Sequence, residues 1–137
     1  MRKTRGPDPI YGESEMYEVS KETTFSSAHS LREYEGRCEA LHGHNWKVKA
    51  HVAATELDRL GMVVDFKILK AALVETADRL DHTLINDVPP FDSINPSAEN
   101  LAKHFYAELS ARLNDGRARV SRVDVWESEG SRASYFE

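Results

Sequence analysis

The feature that most constrains the fold is a change of hydrophobic period along the chain. From Trp46 the residues alternate, with Val48, Ala50 and Val52 on one face and Lys47, Lys49 and His51 on the other, the two-residue repeat of a half-buried strand. The repeat then lengthens. Phe66, Leu69, Leu73, Ala77 and Leu80 recur at three- and four-residue spacing behind Asp65, which predicts an amphipathic helix with a side-chain cap. A second stripe, Leu101, Phe105, Leu109 and Leu113, follows Ser97, and Pro89-Pro90 interrupts any helix between the two. Alternation returns over Val120 to Trp126, and a turn within Ser128 to Arg132 leads to a short last strand at Ala133 to Phe136. Tyr17 to Phe25 favours a first strand, and a polar turn over Glu56 to Gly61 runs into a short extended piece, Met62-Val63-Val64. The order ββααββ predicts an α+β fold, one four-stranded antiparallel sheet with two helices packed on one face. The other face and both sheet edges are left for solvent or for another subunit.

A sheet and one helical layer are about what 137 residues can bury, so a single domain is expected over residues 16–137. Residues 1–15 hold two prolines and two glycines without periodicity and read as an N-terminal extension. A net charge of -5 and the lack of a basic stripe argue against nucleic acid or an anionic membrane as partner. No apolar run approaches the ~18 residues of a membrane span. Met1 to Arg5 is basic, but Gly6-Pro7-Asp8-Pro9 stands where a signal peptide needs apolar residues. The lone Cys38 cannot form an internal disulfide, which suits a reducing compartment. A cytoplasmic protein is expected.

The chemistry concentrates in histidines. In an extended segment His42 and His44 point to one side with Gly43 between them, and His29 at the end of the first strand reaches the same point if the first two strands form a hairpin. Three imidazoles with an open fourth position describe a catalytic zinc ion (Zn2+); the plainer alternative is ordinary loop histidines. Cys38 is a fourth ligand, a small buried hydrophobe or a thiol activated by the metal nearby. Asp81-His82 follows the first helix, either as a carboxylate-oriented proton shuttle or as an exposed helix end. Glu127 shares a face with Val123 and Val125. Its carboxylate matches the paired N–H donors of an amino-pyrimidinone ring, unless it is a solvated glutamate at a strand end.

Together these residues resemble the 6-pyruvoyl-tetrahydropterin synthase family, from about Tyr17 to Phe136. Phe25-Ser26-Ser27-Ala28-His29 is similar to its first zinc-ligand motif. Cys38-Glu39-Ala40-Leu41-His42-Gly43-His44-Asn45 is similar to the block holding its cysteine and two further ligands. Val64-Asp65-Phe66, Leu80-Asp81-His82, Leu84-Ile85-Asn86-Asp87, Asn95-Pro96-Ser97-Ala98-Glu99-Asn100 and Val125-Trp126-Glu127 follow in the family's order. The three residues between Cys38 and His42 look like the 6-carboxytetrahydropterin synthase branch of queuosine biosynthesis, whereas Ser97-Ala98 departs from the usual threonine-containing version. The resemblance implies the tunnelling fold (T-fold), zinc on His29, His42 and His44, proton transfer by Cys38 with Asp81 and His82, and a pterin ring on Glu127. It also implies a pterin triphosphate substrate and a homohexamer of two stacked trimers with active sites at subunit boundaries.

Overall fold

Two long strands, β1 (Tyr17–His29) and β2 (His42–Ala54), pair antiparallel in one unbroken register from Tyr17 opposite Ala54 to His29 opposite His42. β3 (Ala118–Ser128) pairs with β2, and β4 (Ser131–Tyr135) with β3, giving a four-stranded antiparallel sheet in the order β1-β2-β3-β4. Two helices, α1 (Phe66–Asp78) and α2 (Ala98–Leu113), lie between the strand pairs in sequence. They pack on the sheet, α1 against β1 and α2 against β3 and β4. This computed structural model describes residues 15–137, so the extension expected over residues 1–15 lies, apart from Glu15, outside the described residues.

The helices form where their caps and stripes predict. The Asp65 carboxylate accepts the Lys67 N–H and the Ser97 hydroxyl accepts the Asn100 N–H, satisfying donors that the first helical turn leaves free. Leu69, Ala72, Leu73 and Ala77 of α1 and Leu101, Phe105 and Leu109 of α2 are buried against Trp46, Val48, Ala50, Val52, Val123 and Val125. Phe66 is the exception to the expected stripe: at the first helical position it lies past the edge of the core, half exposed beside Tyr17, Leu57 and Met62. The piece Met62 to Val64, expected to be extended, bends. The Asp58 carboxylate accepts the Leu60 and Met62 N–H groups while the Asp58 N–H donates to the Met62 carbonyl, which closes the segment into a loop with only Val63 in the core.

The β-favouring composition of β1 ends at Phe25, and the strand itself ends at the expected His29. Ser26 to His29 is polar and not β-favouring, but its backbone pairs residue by residue with Asn45 to His42, so tertiary pairing overrides local preference. This extension carries the helix-covered side of the sheet out to its end, where His29, His42 and His44 continue the row of Trp46 and Val48. On the uncovered side, Asp124 is almost fully enclosed, accepting hydrogen bonds from Arg122 Nε (2.7 Å) and Ser134 and facing His51 Nε2 at 2.7 Å. Among the described residues no helix is long and apolar enough to cross a membrane.

Candidate metal centre

The hairpin register sets His29 directly opposite His42, and His44, two residues on, faces the same side. The ring centroids are 4.7 Å apart for His29 and His42, 5.1 Å for His29 and His44, and 4.7 Å for His42 and His44, each pair edge to face. His29 Nδ1 lies 2.7 Å from the Pro96 carbonyl and His42 Nδ1 lies 2.8 Å from the Ala40 carbonyl. A carbonyl only accepts, so each Nδ1 carries the proton and each Nε2 keeps its lone pair for a metal. Among the described residues, the Nε2 atoms of His29 and His44 are buried without a hydrogen-bond partner, an arrangement that costs about 1–3 kcal/mol per group unless something else binds there.

Glu127 completes the ring of donors. Its Oε2 is 3.3 Å from His29 Nε2 and 3.8 Å from His44 Nε2, and one donor atom from each of His29, His42, His44 and Glu127 lies within 4.8 Å of the others. Two donors bound to one zinc at 2.0–2.1 Å in tetrahedral geometry stand about 3.3–3.4 Å apart, so the cluster is close to the size that ion requires. Burial pushes the His44 imidazole below its ordinary pKa, and the neighbouring His29 and His42 push it further, against an opposing pull from Glu127 and Glu39. The ring is thereby favoured in its neutral, ligating form. A metal ion fits these residues.

Glu127 reaches the histidines as alternation predicts, following Val123 and Val125 on the face that β2 fills with Val48, Trp46 and His44; the irregularity lies on its other side, toward β4. Trp126 pairs with Arg132 and Ser128 with Ser131, so the ladder shifts and Glu127 is the extra residue of a bulge. Its carboxylate also borders a cavity of about 210 Å3 lined by Leu31, Ser97, Ala98, Ser131 and Arg132. A contributor absent from sequence reasoning is Arg32, whose guanidinium donates to the carbonyls of Asn86, Phe91 and Ile94 while its backbone N–H donates to the Asn95 side chain. It ties the end of β1 to the loop whose Pro96 carbonyl orients His29. An arginine with three carbonyl partners has no local sequence signature, because all three lie more than fifty residues away.

Asp81 and His82 lie beside this centre. The Asp81 carboxylate accepts the Ser26 N–H at 2.9 Å and sits 3.0 Å from His82 Nδ1, while the His82 N–H donates to the Ser26 carbonyl at 2.6 Å. The bond from the Ser26 N–H, against some desolvation and with help from His82, holds the Asp81 carboxyl below the usual carboxylate range. His82 takes a left-handed backbone conformation, φ 57°, and projects a largely exposed ring into an open cleft of about 390 Å3 that it shares with His44, Ser27 and Asn45. Cys38 stands apart. It is exposed, which removes the reading of a small buried hydrophobe, it lies outside the donor group, and it lines a separate cleft with Tyr34, Arg37 and Glu39.

The family model described as 6-pyruvoyl tetrahydropterin synthase matches residues 18–137. The 6-carboxy-5,6,7,8-tetrahydropterin synthase of Synechocystis sp. is 36% identical over 126 residues, covering 88% of this chain and 94% of that protein. The Bacillus subtilis protein of the same name is 34% identical over 118 residues, covering 82% and 79%. Among solved structures, the 6-pyruvoyl tetrahydropterin synthase of Caenorhabditis elegans superposes with a TM-score of 0.76 at 22% identity, covering 89% of this chain and 96% of that one. The Plasmodium vivax enzyme does so with 0.74 at 21%, covering 90% and 98%. At those identities the structures speak for the fold alone.

Proposed function

The chain belongs to the 6-pyruvoyl tetrahydropterin synthase family, and from that premise we propose that it is a 6-carboxy-5,6,7,8-tetrahydropterin synthase. It would convert 7,8-dihydroneopterin triphosphate to 6-carboxytetrahydropterin, acetaldehyde and triphosphate in the queuosine, or 7-deazaguanine, pathway. The observation that carries the reading is the convergence of three imidazoles and a carboxylate on one point at the end of the sheet, in a chain whose relatives bear that name.

In this reading His29, His42 and His44 hold Zn2+, which when bound polarises the side-chain hydroxyls of the substrate and acidifies the adjacent C–H bonds. Glu127 accepts the two neighbouring N–H groups of the pterin edge, fixing the ring. Asp81 keeps the proton of His82 on Nδ1, so that Nε2 is free to take a proton and return it. Cys38, the other proton-transfer group, is exposed and free. Its separation from the cleft of His82 favours a site completed by a second copy, in keeping with the homohexamer that the family resemblance implies. The two sheet edges, β1 and β4, are available for such an assembly.

The test is incubation of the purified protein with 7,8-dihydroneopterin triphosphate and mass spectrometry of the products. The carboxy product with acetaldehyde is expected. A six-position pyruvoyl side chain would assign the chain to the other synthase, and retained metal without turnover would make it a binding module.

A further inference from the structure

The carboxylate of Glu127 faces two ways. On one side it stands 3.3 Å and 3.8 Å from the Nε2 atoms of His29 and His44; on the other it borders the cavity lined by Leu31, Ser97, Ala98, Ser131 and Arg132. The contact with the histidines is not a hydrogen bond. Oε2 is near, but with Nδ1 of His29 holding the ring proton its Nε2 and the carboxylate oxygen are both acceptors, and both Nε2 atoms are left without a hydrogen-bond partner among the described residues. Atoms that crowd together without bonding each other, at about the separation of neighbouring zinc ligands, share a third body. By this geometry the carboxylate belongs to the donor set as much as the imidazoles do.

A site with four protein donors is closed, and closed zinc sites are structural, whereas one that acts on a substrate needs a free position. Glu127 must therefore leave the donor set if the centre is to work. Its place in the strand permits this. It is the unpaired residue of the bulge between Trp126 and Ser128, where the ladder does not hold the backbone on both sides. About a third of its side chain is open to solvent, and the cavity gives it somewhere to turn.

We propose that Glu127 is an exchangeable fourth ligand: it closes the metal centre while the neighbouring cavity is empty and turns from the metal to the ring when a pterin enters. The inference rests on the pterin reading of this site. Binding of the ring then opens the coordination position beside it, so the metal becomes available only when there is substrate to act on. The exchange substitutes one carboxylate interaction for another and requires no helix or strand to move.

Two measurements test the exchange without reference to turnover. In the first, metal-free wild-type protein and Glu127→Gln are titrated with Co2+ against a chromophoric chelator, with no pterin present. Loss of a ligand should weaken the variant by at least the ~10–100-fold known for lesser perturbations around metal sites; equal affinity would remove Glu127 from the donor set and overturn the proposal. In the second, which needs no variant, the Co2+-loaded wild type is titrated with 7,8-dihydropterin. This probe has the ring but no side chain, so it cannot reach the metal through hydroxyls. Ring fluorescence reports binding and the visible cobalt bands report the ligand set. A change of the cobalt bands that saturates together with ring binding is expected. Ring binding with unaltered bands would make Glu127 a permanent ligand or none, and would overturn the exchange while leaving the pterin reading intact. Failure of the ring to bind would overturn the pterin reading, and the exchange with it.

Discussion

In His29 and His42 the two ring nitrogens have separate tasks. Nδ1 of each is held by a backbone carbonyl, Pro96 or Ala40, and Nε2 is left for the metal. If the centre holds a metal as proposed, replacing one ring removes a donor that is already oriented and does not merely lower local basicity. Purified protein should carry about one zinc per chain, and His42→Ala or His44→Ala should fall close to none at unchanged secondary structure. Elemental analysis beside circular dichroism checks this, and stoichiometric zinc in both variants would sink the ligand assignment. These histidines were legible in the sequence because two-residue spacing on a strand and a hairpin partner suffice to bring them together. Glu127 was legible only as a carboxylate on the right face. Its approach to the histidines depends on the register in which β3 pairs with β2, which no single segment encodes. Arg32 was illegible for the same reason, since its partners come from a distant loop.

At the scale of the elements, the four strands are tied across the uncovered face by a polar chain. His51 sits between the Glu18 carboxylate, 3.2 Å from Nδ1, and the Asp124 carboxylate, 2.7 Å from Nε2, while Arg122 and Ser134 donate to Asp124. Burial pushes the Asp124 carboxyl up, but the hydrogen bonds from Ser134, Arg122 and His51 outweigh it and hold the group below its ordinary pKa. A carboxyl whose folded pKa is depressed stabilises the fold above its unfolded value of about 3.9, and that contribution disappears as pH falls through the folded value. Asp124→Asn should therefore destabilise the fold at pH 7 by about 1.5–3 kcal/mol, the usual worth of hydrogen bonds to a charged group. The gap between wild type and variant should close below about pH 4. Denaturant unfolding of the metal-free proteins at several pH values, with no metal loss to confuse it, reads this out, and a gap independent of pH would refute it. The elements themselves were read well where one period governs a whole segment, as in both helices. Local composition says less about strand ends: Ser26 to His29 is a strand through its partner, and its end at His29 was legible only from the hairpin that would bring the histidines together.

At the scale of the whole molecule, the separation of Cys38 from the cleft shared by His44 and His82 leads to the most discriminating prediction. If both proton-transfer groups serve one reaction and do not meet within a chain, one chain's Cys38 must work beside the Asp81-His82 pair of another. Cys38→Ala and His82→Ala should each retain metal, since neither side chain belongs to the donor group, and each should lose most turnover. Dissociated together and reassembled in equal amounts, the two variants would form mixed assemblies. In a symmetric assembly each boundary draws its thiol from one neighbour and its imidazole from the other, so random mixing leaves both intact at about a quarter of the boundaries. Recovery of about a quarter of wild-type activity is therefore expected from two nearly inactive proteins, with each variant carried alone through the same dissociation and reassembly as the control. If instead Cys38 reached His82 within one chain, every site in the mixture would lack one group or the other. Activity would then stay at the level of the separate variants however well they assembled, and the shared-site reading would fail.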